Sequence, residues 1–224
     1  MRAMFTRIAR RYDLMNSLMT AGLHHVWRRR VAASVAGVPG GPVLDLATGT
    51  ADLAIAVRAR TPGRFVAGAD FSEGMLQVGQ AKLRQRRVAR VELLAADALA
   101  LPFRDGAFAC VMSAFLLRNL EDLKRGLAEM RRVTVRGGRV VTLDIVRPAQ
   151  PLWGAVFGAY FSRVVPAIGA FVAGDRQAYT YLPQSVDRFV TPDELAELME
   201  DVGLRDVSYR RLGLGTIALH VGIA

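Results

Sequence analysis

Short apolar runs alternate with longer segments of mixed polarity through the middle of the chain. The apolar runs predict buried strands that begin at Val43 and span 64–69, 90–95, 108–115 and 139–143. The segments between them predict helices over 53–60, 72–87 and 121–133. Regular alternation of strand and helix is typical of a doubly wound, mostly parallel sheet. The pattern therefore predicts an α/β fold.

The last third of the chain predicts a different connection between strands. Thr191 followed by Pro192 is typical of a helix start, with Thr191 as the N-cap. Two further strands, 207–212 and 216–223, are separated only by 213–215. So short a link predicts an antiparallel hairpin at the end of the sheet. Residues 1–224 are then expected to form a single domain.

Two helical additions to this sheet are predicted. Residues 1–40 form an amphipathic helical cap that we expect to break at 12–16 and 22–27. Residues 147–183 are unusually apolar and aromatic, yet Arg163 and Pro166 disfavour a membrane span. We interpret this second segment as two helices forming a lid over the carboxyl ends of the strands; the alternative is a helix pair that completes the core.

The turn after the first strand is the strongest candidate for a ligand site. It contains one glycine, Gly49, whereas a dinucleotide fingerprint needs three. The carboxylates of Asp45 and Asp52 would repel a pyrophosphate but suit a ligand that carries an ammonium and a sulfonium. S-adenosylmethionine has both groups. An ordinary strand-to-helix turn remains the alternative.

Acidic residues also follow the next two strands. Asp70 lies 25 positions after Asp45, where this architecture places a carboxylate that binds ribose. Asp97 follows the third strand and can accept a hydrogen bond from an adenine amino group. Ser72 is a plausible N-cap for the helix between them. Three such carboxylates predict a nucleoside pocket.

Composition narrows the choice of partner and compartment. The chain has 224 residues, 52% of them hydrophobic, and 30 basic against 20 acidic residues, for a net charge of +10. An anionic membrane surface explains the excess better than nucleic acid, since no RNA-binding signature is present, although a bias toward arginine can also produce it. Cys110 permits no intramolecular disulfide, and the first residues lack the apolar core of a signal peptide. We expect a cytoplasmic protein, peripheral to the inner face of the membrane.

Several segments also carry a family resemblance. They are 11–16, 22–24 with Trp27, the loop at 43–52, 70–76, 97–103, 115–119, 132–139, 179–182 and 218–222. Together they resemble the ubiquinone/menaquinone-biosynthesis C-methyltransferases of the demethylmenaquinone methyltransferase type. The resemblance implies a class I methyltransferase fold, S-adenosylmethionine as the cofactor and a lipophilic quinol as the substrate. It leaves a homodimer open and implies no nucleic acid and no metal.

The resemblance and the strand ends together define the candidate cofactor residues. In the family pattern the loop threonine falls on Thr50, the ribose carboxylate on Asp70 and the adenine-side pair on Asp97 and Ala98. The full set is Asp45, Thr48, Gly49, Thr50, Asp70, Phe71, Asp97, Ala98 and Ser113.

This chain departs from the family pattern at three positions. Ala51 and Leu116 stand where the family has glycine, and Leu116 is expected to narrow the pocket. A cofactor-contacting serine of the family aligns with Ala114, one place after Ser113. Because neighbouring strand residues point to opposite faces, Ser113 is a doubtful replacement.

A ring carbon is a poor nucleophile unless the neighbouring hydroxyl is ionised, and a phenol has a pKa of about 10. A fixed guanidinium stabilises the phenolate, which makes Arg118 our candidate, with Asn119 orienting the ring oxygen. A structural ion pair is the alternative role for Arg118. Further candidates for proton transfer are His24, Tyr181 and His220.

Two other functions compete with quinol methylation. One is a related methyltransferase for another aromatic or polyketide-like acceptor, which Leu116 favours. The other is a cofactor-binding protein without transfer activity, which Ala114 favours.

Overall fold

Seven strands form one sheet in the order β3-β2-β1-β4-β5-β7-β6. The computed structural model describes the backbone of residues 2–169 and 176–224, and their side chains except those of residues 2, 3, 5, 10, 151 and 176–181. The strands are β1 (Val43–Leu46), β2 (Val66–Asp70), β3 (Val91–Ala95), β4 (Phe108–Ala114), β5 (Thr134–Ile145), β6 (Arg205–Leu212) and β7 (Ile217–Ile223). Pairings among β1 to β5 are parallel, and β7 runs antiparallel to both β5 and β6. The predicted parallel sheet with a C-terminal hairpin is confirmed.

Helices cover both faces of this sheet. They include α3 (Asp52–Arg60), α4 (Glu73–Gln85), α5 (Leu123–Arg132) and α9 (Pro192–Asp201), with a short 3₁₀ turn at Leu117–Asn119. The predicted caps are present. Ser72 Oγ accepts from the Met75 N–H, and Thr191 forms a capping box with Glu194. Such caps satisfy N–H groups that have no partner inside the helix.

Two hydrophobic cores lie on opposite faces of the sheet. On one face, Trp27 and Leu53 pack with the inward side chains of the strands. On the other face, Leu127, Leu195 and Met199 from α5 and α9 do the same. Because the central strands are buried on both faces, most of their residues are apolar, and they therefore stand out as apolar runs in the sequence.

The N-terminal cap consists of α1 (Arg2–Thr20) and α2 (Leu23–Ala33). The expected break at 12–16 is wrong, because α1 continues through it. The chain turns only at Ala21 and Gly22, which both have positive φ. Glycine adopts this conformation without strain, and its place directly before α2 marks the true boundary.

The apolar segment after β5 is helical. Its described parts are α6 (Pro151–Ala159), a π-helical turn at Tyr160–Val164, α7 (Val165–Ile168) and α8 (Arg176–Asp187). The remainder of the predicted lid, residues 170–175, lies outside the described residues. Within the part of the chain that the structure describes, no helix is both long and apolar enough to cross a membrane.

Candidate active site

Two cavities meet at the carboxyl edge of the sheet. The first, which we call the acidic cavity, has a volume of about 550 Å³ and lies over the ends of β1, β2 and β3. The second, the apolar cavity, has a volume of about 490 Å³ and lies between the cap, α6 and the end of β4. Tyr12, Phe115 and Asn119 line both. A group bound in one cavity can therefore reach a molecule in the other at these three residues.

The acidic cavity contains most of the predicted cofactor residues. Gly49, Asp70, Phe71, Asp97 and Ala98 all line it. Asp70 Oδ2 accepts from the Gly49 N–H at 2.9 Å, and Oδ1 accepts from the Ser72 N–H at 2.8 Å. Burial raises the pKa of Asp70, whereas these backbone hydrogen bonds favour its carboxylate. Each oxygen keeps acceptor capacity for a ribose hydroxyl.

The other loop residues line a small adjoining space. This loop cavity, about 20 Å³, is bounded by Tyr12, Arg28, Asp45, Ala47, Thr48, Gly49, Thr50, Leu53 and Ala114. Asp45 Oδ2 accepts from Thr48 Oγ1 at 2.7 Å and from the Ala54 N–H at 2.9 Å. Burial raises the pKa of Asp45 to about 7. A ligand ammonium beside it would favour the carboxylate.

The cofactor loop has an unusual backbone. Ala47, Gly49 and Ala51 have φ values of 56°, 55° and 66°. Ala51 stands where the family pattern has glycine. It adopts the left-handed backbone conformation, which is unfavourable for any residue with a Cβ atom. Its methyl group is completely buried in the core beside α2 and α3, which helps to hold it there.

A charge network attaches the cap to this loop. Lys82 Nζ donates to Asp13 at 2.6 Å, to Asp52 at 2.7 Å and to Thr50 Oγ1 at 3.0 Å. Thr50 Oγ1 donates to Asp13 at 2.6 Å, and Arg28 pairs with Asp52 at 2.8 Å. Residues of α1, α2, α3 and α4 therefore meet here. The predicted cofactor residue Thr50 holds the cap in place and does not line the acidic cavity.

The apolar cavity is surrounded mainly by hydrocarbon and aromatic side chains. They include Met4, Ile8, Met19, Trp27, Phe157 and Phe161. Leu116, expected to narrow the pocket, lines the acidic cavity and does not line the apolar one.

Arg118 brings a positive charge to the wall of the apolar cavity. Its Nη1 lies 2.5 Å from Asp144 Oδ1, and its Cζ lies 5.6 Å from the centre of the Phe115 ring. Asp144 also accepts from the Leu117 N–H at 2.9 Å. Burial raises the pKa of Asp144, and the Arg118 guanidinium opposes that shift. The arginine is both a structural ion-pair partner and a cavity residue, so the ion pair does not exclude the predicted catalytic role.

The other catalytic candidates lie in different places. Asn119 lines both cavities, and its Nδ2 donates to the Phe115 carbonyl at 3.0 Å. His24 lines the apolar cavity and is 1% exposed. The backbone of Tyr181 lies in α8, but its side chain is outside the described residues.

Ser113 and His220 are exceptions, because neither lines the described cavities. Thr142 pairs with Ser113 on one side and with His220 on the other, so the three form a buried row across β4, β5 and β7. His220 Nε2 lies 2.9 Å from the Pro192 carbonyl under α9. The cofactor contact expected of Ser113 and the proton transfer expected of His220 stay predictions, and none of these cavities supports either. Both side chains point from the sheet into the core, and the neighbouring Ala114 faces the cofactor loop.

Sequence reasoning missed two residues of this site. Tyr12 enters the sequence argument only as part of a motif, yet it lines all three cavities. Its spacing to Asn16 and Thr20, four residues each, could have indicated one face of a continuous helix. Asp144 directly follows the predicted strand 139–143, and no sequence signal pairs it with Arg118.

The residues present fit S-adenosylmethionine. Asp70 and Asp97 are suited to ribose and adenine, while the buried carboxylate of Asp45 is suited to the amino-acid ammonium. The junction at Tyr12 would lie near the sulfonium, next to the apolar cavity. A molecule bound in the apolar cavity would contact mainly hydrocarbon and aromatic side chains beside that junction.

Known proteins that resemble this chain include methyltransferases. The model of the ubiE/COQ5 methyltransferase family matches residues 1–224. A protein named demethylmenaquinone methyltransferase from Thermus thermophilus is 44% identical over 219 residues, which cover 98% of this chain and 99% of that protein. A protein from Desulfotalea psychrophila, named ubiquinone/menaquinone biosynthesis C-methyltransferase UbiE, is 42% identical, covering 98% of this chain and 88% of the relative. Among solved structures, a SAM-dependent methyltransferase from Aquifex aeolicus has a TM-score of 0.67 at 17% identity, covering 95% of this chain and 98% of that one.

Proposed function

The chain belongs to the ubiE/COQ5 methyltransferase family and is an S-adenosylmethionine-dependent methyltransferase, and we propose that its acceptor is a polyprenylated quinol methylated on a ring carbon. Demethylmenaquinol is the first candidate acceptor, because several similar relatives are named demethylmenaquinone methyltransferase.

One observation carries this proposal. An apolar cavity of about 490 Å³, with an arginine in its wall, adjoins the acidic cavity suited to the cofactor. An aromatic ring with a long isoprenoid tail offers apolar surface to such walls and only two oxygens to its polar groups. A small polar acceptor would leave most of this surface without a partner.

The cofactor is proposed to extend from Asp97 through Asp70 to the loop cavity at Asp45. When bound, S-adenosylmethionine supplies the methyl group: its methyl–sulfur bond breaks as a bond to the ring carbon forms, and the electron pair stays on sulfur. Asp45 and Asp70 bind the donor, and Tyr12 and Phe115 exclude water from the junction. Holding donor and acceptor in this geometry is the main contribution to the rate.

Arg118 is proposed to stabilise the negative charge on the acceptor oxygen. Asp144 fixes the guanidinium, so no reorganisation is needed when charge develops on the oxygen. Asn119 orients the ring at the junction between the cavities. The methylated ring carbon then loses its hydrogen as a proton, which restores the aromatic ring.

Peripheral attachment to an anionic membrane surface is also proposed. Exposed apolar side chains surround the mouth of the apolar cavity: Leu18, Leu23, Val156 and Leu214 line it and are 46%, 48%, 51% and 81% exposed. We call these four residues the rim. Arg211 Nη1 donates to the Arg147 and Gly215 carbonyls, so the Arg211 guanidinium lies close to Leu214. A membrane is where a polyprenyl tail is found, and entry through the rim spares that tail from water.

Leu116, which stands where the family has glycine, favoured another aromatic or polyketide-like acceptor in the sequence, but its position in the structure does not support one. Leu116 lines the acidic cavity and does not line the apolar one. It therefore does not reshape the space proposed for the acceptor.

A panel of acceptors tests the proposal. Purified full-length protein is given S-adenosylmethionine with a short-chain demethylmenaquinol, the matching prenylated benzoquinol or unprenylated 1,4-dihydroxynaphthalene. We expect the highest kcat/KM with the prenylated naphthoquinol. Equal turnover of the unprenylated ring would contradict the proposed acceptor class. If only the benzoquinol is turned over, the benzoquinol and not the naphthoquinol is the acceptor.

A further inference from the structure

Four buried polar atoms belong to residues that line the apolar cavity and have no hydrogen-bond partner among the described residues. They are Asn16 Nδ2, His24 Nε2, Arg118 Nε and Trp153 Nε1. Unpaired buried polar groups are uncommon in native proteins, and four around one apolar cavity indicate a ligand that pairs with them. The amide, guanidinium and indole nitrogens can only donate. The character of His24 Nε2 depends on where that imidazole carries its proton.

The contacts of Thr20 determine which nitrogen of the His24 imidazole carries the proton. Thr20 Oγ1 lies 2.7 Å from the Asn16 carbonyl and 2.8 Å from His24 Nδ1. The hydroxyl has one hydrogen, and the carbonyl can only accept, so the hydroxyl must donate to it. Thr20 Oγ1 therefore accepts from His24, and Nδ1 of the imidazole carries the proton.

The imidazole is also neutral. Burial, followed by the nearby charge of Arg28, lowers the pKa of His24 to about 4. With its proton on Nδ1, the ring presents a bare lone pair at Nε2. Three donors and one acceptor thus belong to the residues around the cavity.

We propose that His24, held in the Nδ1–H tautomer by Thr20, makes the cavity selective for the hydroquinone over the quinone form of its acceptor. This inference rests on the proposed function and deepens it. A hydroquinone has hydroxyl hydrogens, one of which pairs with Nε2, and its oxygens can still accept from the three donors. A quinone has only acceptors. It would leave Nε2 unpaired or facing a carbonyl lone pair.

Selection of this kind is useful to the reaction. Only the reduced ring is electron-rich enough to attack a methyl group, so a bound quinone would be an inhibitor. A site built to accept from a hydroxyl discriminates strongly against analogues without one, because its own polar group is then left unpaired. We expect at least tenfold tighter binding of the hydroquinone.

The tautomer can be tested without any ligand. The chain has three histidines, so correlation of imidazole nitrogens with ring protons by NMR resolves each of them. We expect Nδ1–H for His24 in the wild type and in Thr20→Ser, which keeps the hydroxyl. Thr20→Val should shift the ring toward a mixture of tautomers. A wild-type Nε2–H tautomer would overturn the proposal whatever the enzyme methylates.

Binding tests the selectivity itself. Enzyme saturated with S-adenosylhomocysteine, so that no turnover occurs, is titrated anaerobically with a short-chain demethylmenaquinol and with its quinone. We expect the ratio of the two Kd values to fall at least fivefold in Thr20→Val and to be kept in Thr20→Ser. Equal affinity of the wild type for both forms would overturn the inference and leave the proposed function standing. Failure to bind either form would overturn both.

Discussion

Arg118 and Asp144 form a buried ion pair with 2.5 Å between Nη1 and Oδ1, and their side chains are 8% and 1% exposed. One partner lies in the 3₁₀ turn after β4, and the other lies near the end of β5. The pair holds a guanidinium at the wall of the apolar cavity, so loss of the arginine has two separable effects: it removes a charge from the cavity and leaves a buried carboxylate unpaired.

Arg118→Ala should lower turnover by about 10²–10³-fold, the range for removal of one oxyanion donor. S-adenosylmethionine affinity should stay within about twofold, since Arg118 does not line the acidic cavity. Steady-state kinetics and calorimetry measure the two quantities. Arg118→Lys should recover only part of the rate, because an ammonium lacks the planar fork.

Stability is the control for that variant. Breaking a buried ion pair costs about 3–5 kcal/mol of unfolding free energy. The double variant Arg118→Ala/Asp144→Asn removes the unpaired charge and should regain much of this stability without regaining turnover. Restored turnover in the double variant would show that Arg118 acts only through structure.

Asp70→Ala should weaken S-adenosylmethionine binding at least tenfold. Hydrogen bonds to a charged carboxylate contribute roughly 1.5–3 kcal/mol each, and Asp70 also holds the Gly49 N–H of the cofactor loop. Calorimetry on the variant gives the affinity directly, with Asp105→Ala, an exposed carboxylate outside the acidic cavity, as the matched control. Unchanged affinity in Asp70→Ala would remove Asp70 from the site.

Asp45 should make the ligand-free protein less stable as pH rises. Its pKa is raised from 3.8 to about 7, so between these values the folded state binds this proton more often than the unfolded state. Unfolding free energy attributable to Asp45 then falls as pH rises through that window and is constant above it. The amide introduced by Asp45→Asn does not titrate, yet its oxygen can still accept from Thr48 and Ala54.

Urea unfolding of both proteins between about pH 5 and about pH 8 measures the effect. Relative to the variant, the wild type should lose on the order of 2 kcal/mol across this range. Parallel curves for the two proteins would show that burial does not perturb Asp45.

Membrane attachment should depend on the side chains around the cavity mouth. Liposome flotation is expected to recover the protein with anionic vesicles, and to recover less with neutral vesicles or at high salt. Leu214→Ser and Arg211→Ser should each reduce recovery. Arg136→Ser removes the same charge at the amino end of β5, the opposite edge of the sheet, and should have no effect. Equal recovery with neutral and anionic vesicles would contradict the electrostatic part of the proposal.

Local signals explain why much of the fold was predictable. Apolar runs marked the strands because both faces of the sheet are covered, and Ser72 and Thr191 marked helix starts through their caps. The carboxylates at Asp70 and Asp97 were predictable as cavity residues because the carboxyl ends of parallel strands meet at one edge.

Contacts between residues far apart in the sequence could not be predicted from such local signals. β7 lies between β5 and β6, an order that no local pattern encodes. Asp144 pairs with Arg118 across 26 positions, and His220 is directed into the core by a register that only the folded sheet defines. A homodimer and a role for Tyr181 stay predictions.

The position of the transferred methyl group tests the central claim most directly. The enzyme is given S-adenosylmethionine labelled with ¹³C in its methyl group, together with a short-chain demethylmenaquinol, and the product is examined by NMR. A cavity that holds the acceptor oxygen at Arg118 and the ring carbon at the junction predicts the label on a ring carbon. A labelled methoxy group, or no transfer by a protein that binds both molecules, would contradict it.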